Sequence, residues 1–333
     1  MRVLVAHAAV IAAFAIAATA CGPKAPPTPP APPPIALHLE PACDLAASAG
    51  LEWLVAAKPR EIAQTPDLIP ALALVVTEAR FNAFAKTHGG IDVRQIQDLC
   101  IAKYKESVLT IARTPIDPAA VERAFDDRIT HPEGRTVTIP NPPVVKIGGE
   151  ALGEHQQLVI FGRDAVALEQ GKTGPARVAE AFALGKLRRA SPALKGAALA
   201  RIADIVGDAP LRVFAPGPFE GETAQGLAGL LRATTAVGAS AKLTSDRRVA
   251  VRVVLAGAWG TDAETAAERL KAAVHVVSET TLGRLLRLDH PPAPPTVRGT
   301  ADALVLEATL DLAALAQGVH DAVDAEIDEI MRR

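Results

Sequence analysis

The chain has 333 residues, a formal net charge of −2 and 49% hydrophobic residues, enough apolar mass for one large domain or two ordinary ones. There is no broad basic excess, which argues against nucleic acid as a partner. Aromatic residues make up only 3% of the chain, too few for the stacking platforms on which single-strand binders rely.

Met1-Arg2 opens the sequence, and an apolar run follows from Val3 to Ala20, interrupted by His7 and Thr19 and free of acidic residues. A short positive start leading into an apolar run that ends in small residues is an export signal rather than a folded element. The run ends Ala18-Thr19-Ala20-Cys21, which resembles the lipobox of bacterial lipoproteins. The resemblance covers the first 21 residues. It implies cleavage before Cys21, acylation of its thiol and new amino terminus by fatty-acyl chains such as palmitate, and a membrane partner through that anchor. By the same family's sorting habit, Gly22 rather than Asp after the cysteine implies the outer membrane. Ala18 stands where the commonest lipobox has Leu. An ordinary cleaved secretory signal and an uncleaved helical anchor are the other readings, and all three export the chain.

Residues 21–36 are rich in proline, which fixes φ and removes backbone donors. They read as an extended tether of roughly 3 Å per residue that holds the body off the lipid. Cys43 and Cys100 remain after Cys21. In an exported chain a pair of cysteines is most simply a disulfide, the other reading being two buried thiols.

The body reads as a first half over 37–185, a bridging segment over 186–208 and a second half over 209–333. In the first half a strand over 51–57 precedes a stretch of helical spacing that runs to His88, with Gly89-Gly90 as the stop. His88 there reads as a cation favoured at a helix C-terminus. "LCIAKY" and "SVLTIAR" form a hairpin, and a helix follows with Asp117 as N-cap and Pro118 at its first position. Strand-like runs then occupy 136–139, 143–149 and 156–171. "GKTGP" from Gly171 lacks the earlier glycine of a phosphate-binding loop, since Val166 stands there, and reads as a turn before a helix from about Pro175.

The bridging segment carries the basic run Lys186 to Arg189, read as solvated, and a helix from Ala193 to Val206. In the second half we expect a strand at Pro210–Ala215 and a helix over Thr223–Gly238. In that helix Gly226 and Gly229 allow close packing against the sheet or leave a groove for an apolar ligand. A hairpin turning near Asp246 follows, flanked by Arg247-Arg248, then a helix capped by Thr261 or Asp262. A second hairpin spans 296–311, and a closing helix carries Asp321, Asp324 and Asp328 on a solvated face. The two halves also align without a gap at Ala56 and Ala215, Pro59 and Pro218, Glu61 and Glu220, Leu68 and Leu227, Leu72 and Leu231. Duplicated β-α-β-β-α units with hairpins predict an α+β fold, with antiparallel sheet covered by helices on one face and the other face free for solvent or a partner. Whether the halves share one sheet or form two domains is open at this level.

The sequence offers little chemistry. No Gly-x-Ser-x-Gly, Ser-x-x-Lys or Cys-x-x-Cys occurs. The histidines at 38, 88, 131, 155, 275, 290 and 320 never stand four apart, as a helical zinc pair requires. We therefore expect no metal, no cofactor and no catalytic residue. The leading expectation is a non-enzymatic envelope lipoprotein that binds or scaffolds an envelope protein. The alternative is a carrier of an apolar ligand held between sheet and helices, and an enzyme of unrecognised type ranks third. An enclosed apolar pocket points to the carrier, an exposed apolar face to the module.

Overall fold

The computed structural model describes residues 36–321, apart from 141, 173, 188, 189 and 286. The export signal, Cys21, nearly all of the proline tether, Arg188, Arg189, Asp324 and Asp328 lie outside the described residues. In chain order the first half contains β1 (Leu51–Ala57), α1 (Pro59–Gln64), α2 (Ile69–Val75), α3 (Glu78–Thr87), β2 (Asp98–Tyr104) and β3 (Ser107–Arg113). It continues with α4 (Pro118–Asp126), β4 (His131–Pro140), β5 (Pro143–Ala151), β6 (Glu154–Phe161), β7 (Ala165–Gly171) and α5 (Pro175–Ala183). After α6 (Ala200–Val206) come β8 (Leu211–Pro216), β9 (Thr234–Leu243), β10 (Arg248–Gly257), α7 (Ala263–Ser278) and α8 (Thr281–Leu285). β11 (Ala293–Gly299) and β12 (Ala303–Asp311) follow, and α9 occupies 312–321.

These strands make one antiparallel twelve-stranded sheet in the order β11-β12-β10-β9-β8-β1-β2-β3-β7-β6-β5-β4. The fold is α+β, and the two halves share the sheet. Its seam is the pair β1–β8, with Leu54 opposite Phe214 and Val55 opposite Val213. From that seam outward, β8-β9-β10-β12-β11 mirrors β1-β2-β3-β7-β6, so the repeat read from the sequence is a repeat of topology. β4 and β5 extend the first half alone. Both edge strands carry prolines, Pro132 and Pro140 on β4 and Pro294 and Pro295 on β11, which lack the donors that another chain would pair with.

Alternation along the strands sends side chains to two cores. Leu54, Cys100, Leu109, Ile111, Val159, Phe161, Phe214 and Val254 share one face, where Ala176, Ala179 and Ala183 of α5 and Ile202 and Val206 of α6 pack on them. On the opposite face, Val121 and Phe125 of α4 cover Val145, Ile147, Leu158 and Ile160, and Ala266, Ala267 and Leu270 of α7 cover Leu255, Leu304 and Leu306. Helices therefore lie on both faces, not on one. What stays open is the middle of the second face, where Trp53, Leu211 and Val213 are more than a third exposed around the seam.

Local sequence explains which elements form as read. α4 opens as expected, with the Asp117 carboxylate accepting from the Ala119 N–H at 3.1 Å and Pro118 at its first position. Asp262 precedes α7 in the same place but makes no side-chain cap. The stretch read as helical up to His88 breaks into three short helices. Thr65 is extended before Pro66, Pro70 opens α2, and the segments Pro66–Val75 and Glu78–Thr87 meet at 79°. The expected helix over Thr223–Gly238 does not form. Two 3₁₀ turns, Thr223–Gln225 and Leu230–Ala233, stand there, and β9 starts at Thr234. Gly229 adopts φ +81°, and the β-branched Thr234, Thr235 and Val237 suit strand better than helix. The bridging helix is likewise shorter than read. Ala193–Lys195 is a 3₁₀ turn, Gly196 is extended, and only Ala200–Val206 is α-helical. Gly196 is needed there, because a Cβ would stand 2.6 Å from that of Ser48.

Cys43, in a 3₁₀ turn over Ala42–Leu45, is disulfide-bonded to Cys100 of β2, and both are buried in the first core. The bridge pins the start of the body to the sheet near the seam.

Candidate functional site

The second face holds a pocket in its first half. The floor comes from four neighbouring strands, and the register aligns it: Leu99 lies opposite Ala112, Ile101 opposite Thr110, Thr110 opposite Leu168, and Ala112 opposite Val166. Leu158 of β6 completes it. The walls are Val121 of α4, Phe84 of α3, and Ile91, Val93 and Ile96 from the segment that leads from α3 to β2. The pocket is partly open and its volume is about 210 Å³. That exceeds the ~150 Å³ of a cavity that takes benzene and falls short of the ~300 Å³ at which drug-sized pockets begin. One short alkyl chain or one small ring system is the matching size. The related place under α7 is packed instead by Trp259, Leu230 and Leu270.

The wall is held by a helix ending that the sequence announces. The Gly90 N–H donates to the Ala85 carbonyl at 2.8 Å, closing the last turn of α3, and Gly89 takes φ +67°. Gly89 also lets α3 dock against α4, since a Cβ there would meet the Val121 Cα at 2.5 Å. Sequence reading identified Gly89-Gly90 as a stop but not as a docking point.

Three polar side chains stand among the apolar lining, Thr110 on the floor and His88 and Arg128 at the wall. His88 Nδ1 lies 2.9 Å from the Phe84 carbonyl, and its Nε2 lies 3.2 Å from Arg128 Nη1. Burial holds the His88 pKa below the usual histidine value, and the Arg128 charge adds to this, while the Phe84 carbonyl works in the opposite direction. His88 is therefore neutral near pH 7, with Nδ1–H donating to Phe84 and Nε2 accepting from Arg128. It caps the helix as a neutral donor, not as the cation expected from sequence. Phe84 stacks on the imidazole with centroids 3.9 Å apart, which fixes both rings.

Arg128 follows α4 by two residues. Its Nε donates to the Ala124 carbonyl at 3.2 Å, and the guanidinium stands 5.8 Å from the Phe125 ring centre. Burial pushes its pKa down. Among the described residues no carboxylate lies within 4.0 Å of it, although Asp126 and Asp127 are its chain neighbours. Arg128 escaped notice in the sequence because "DDR" at a helix end looks like an ordinary solvated cluster.

The other sequence candidates do not gather here. His131 pairs with Glu150, His155 with Glu133 and His290 with Asp289, each away from the pocket lining. Arg247 reaches Asp67, and Arg248 reaches Asp246 at the hairpin tip. Among the described residues no three His, Cys, Asp or Glu side chains converge as a metal set. A larger hollow of about 440 Å³ near Glu40, Arg113 and Asp164 is open and polar, which suits water better than an apolar ligand. No single helix among the described residues is long and apolar enough to cross a membrane.

Fold and pocket together define an α+β protein with one twelve-stranded antiparallel sheet and a small apolar cavity under two of its helices. No family model matches the chain, and no curated protein matches it. Among solved structures it is similar to the one titled "Structure of crystal form III of TP0453", at 10% sequence identity and a TM-score of 0.48, over 85% of this chain and 99% of that one.

Proposed function

We propose that the chain is a non-enzymatic, envelope-anchored binding module whose ligand is apolar, carried in the pocket between the sheet and α3–α4. The observation that supports this is the lining: twelve of its fourteen residues are other than His88 and Arg128, and of those twelve all but Thr110 are hydrocarbon. Water gains few partners in such a space, so an alkyl or aryl group is the better occupant. Cys21 supplies the membrane anchor and the proline tether its reach.

Native mass spectrometry of the protein extracted gently from its own membranes tests this reading. The expected result is a small-molecule mass in addition to the acyl mass on Cys21. A bare chain that also fails to take up 1-octanol would overturn it. The anchor is tested separately by Cys21→Ser and cell fractionation, where the variant should leave the membrane fraction. Retention equal to the parent would remove Cys21 from the account.

A second reading has its own support. Trp53, Leu211 and Val213 form an exposed apolar patch on adjacent strands at the seam, the kind of surface that docks a protein. Val55 of the same face lies opposite Ile101 of the pocket floor, so patch and pocket are continuous.

A further inference from the structure

We propose that Arg128 selects the ligand's head group, and that the pocket takes an amphiphile with one short alkyl chain and a single carboxylate. This rests on the pocket reading above and adds to it the class of ligand. A half-buried guanidinium beside an apolar cavity carries a desolvation penalty that an acidic neighbour ordinarily offsets. Here none does so among the described residues. Two of the side chain's nitrogens are engaged by neutral acceptors, Nε by the Ala124 carbonyl and Nη1 by the His88 ring, and Nη2 has no partner among the described residues. These two contacts hold the plane of the guanidinium in place and leave donors free, an arrangement suited to a carboxylate. One cation matches one negative charge. Neutral His88 adds no second charge, so a doubly charged phosphate monoester is the poorer match.

The alkyl chain of such a ligand would lie on Ile101, Thr110 and Leu168 with the head at Arg128. The experiment is calorimetric titration with octanoate and with 1-octanol, which share a chain length and differ in the head, at pH 7.5 and fixed salt. The parent should bind octanoate about tenfold more tightly than octanol, the order of gain from a charge-assisted hydrogen bond. Arg128→Gln should bring octanoate affinity down to that of octanol in the same variant, and Arg128→Lys should keep part of the preference. Equal affinity for the two ligands in the parent would overturn the head-group assignment while the pocket reading survives. So would a preference that persists in Arg128→Gln. Failure of both ligands to bind the parent would remove the pocket reading and this inference with it. The parent comparison decides the matter even if a variant folds poorly.

Discussion

His88 sits where two kinds of chemistry meet, and its titration is the most direct residue-scale consequence of the structure. Its native pKa lies below the ordinary 6.5 because burial disfavours the imidazolium. Between pH 6.5 and that lower value the unfolded chain holds a proton that the native chain does not, so stability falls as pH falls through this window and is fully present above it. Urea midpoints for the parent should therefore drop from pH 7.5 to pH 5.5, and His88→Gln should show a smaller drop. An equal drop in both proteins would show that His88 is not the group responsible. Glu169 acts in the opposite sense. It is fully buried on β7, its Oε2 accepts from the Ala176 N–H at 2.8 Å, and burial raises its pKa, so its contribution weakens stability as pH rises above 4.5.

At the scale of elements, two joints carry the architecture. Phe214 is fully buried at the seam, opposite Leu54, in the core that spans both halves. Phe214→Ala should cost about 3–5 kcal/mol in urea denaturation, the range for an aromatic lost from a packed core. A loss under about 1 kcal/mol would mean that the seam is loosely packed. The Cys43–Cys100 bridge closes a loop across 57 positions, which the chain-entropy relation values at about 4 kcal/mol. Replacing both cysteines by alanine should lower the unfolding free energy by that order, and reductant should then have no further effect.

The elements also show what the sequence allowed to be read. The cap at Asp117, the stop at Gly89-Gly90 and the hairpin near Asp246 were legible because each is a local signal with one dominant cause, whereas the Cys43–Cys100 pairing followed from the cysteine count in a chain read as exported. The helix expected over Thr223–Gly238 was not, because its apolar spacing fits a helix while its glycines and β-branched residues favour turns and strand, and tertiary pairing with β8 and β10 settled the choice. The second helical layer was hidden for a related reason. Which strand face a helix covers depends on the crossing of the chain over the sheet, and no local pattern records it. Arg128 and the pocket floor come from segments far apart in sequence, so the site became visible only once the register of β2, β3 and β7 was known.

The described residues form one sheet, and the core on its first face crosses the seam, so both halves should unfold together. The chain's two tryptophans report on this, Trp53 on β1 and Trp259 just before α7. Trp53→Phe and Trp259→Phe leave one reporter in each half, and their urea transitions should coincide. Separate midpoints would show two cooperative units despite the shared sheet.

The central claim is that the cavity under α3 and α4 binds an apolar ligand, and the most direct measurement is calorimetric titration of 1-octanol into the parent and into Thr110→Phe. Thr110 lines the cavity, and a phenyl ring there occupies the space of the ligand. Saturable binding with a negative heat-capacity change in the parent, weakened at least tenfold in a folded Thr110→Phe, is the predicted result. Absence of saturable binding in the parent, or binding that survives the filled cavity unchanged, would contradict the account.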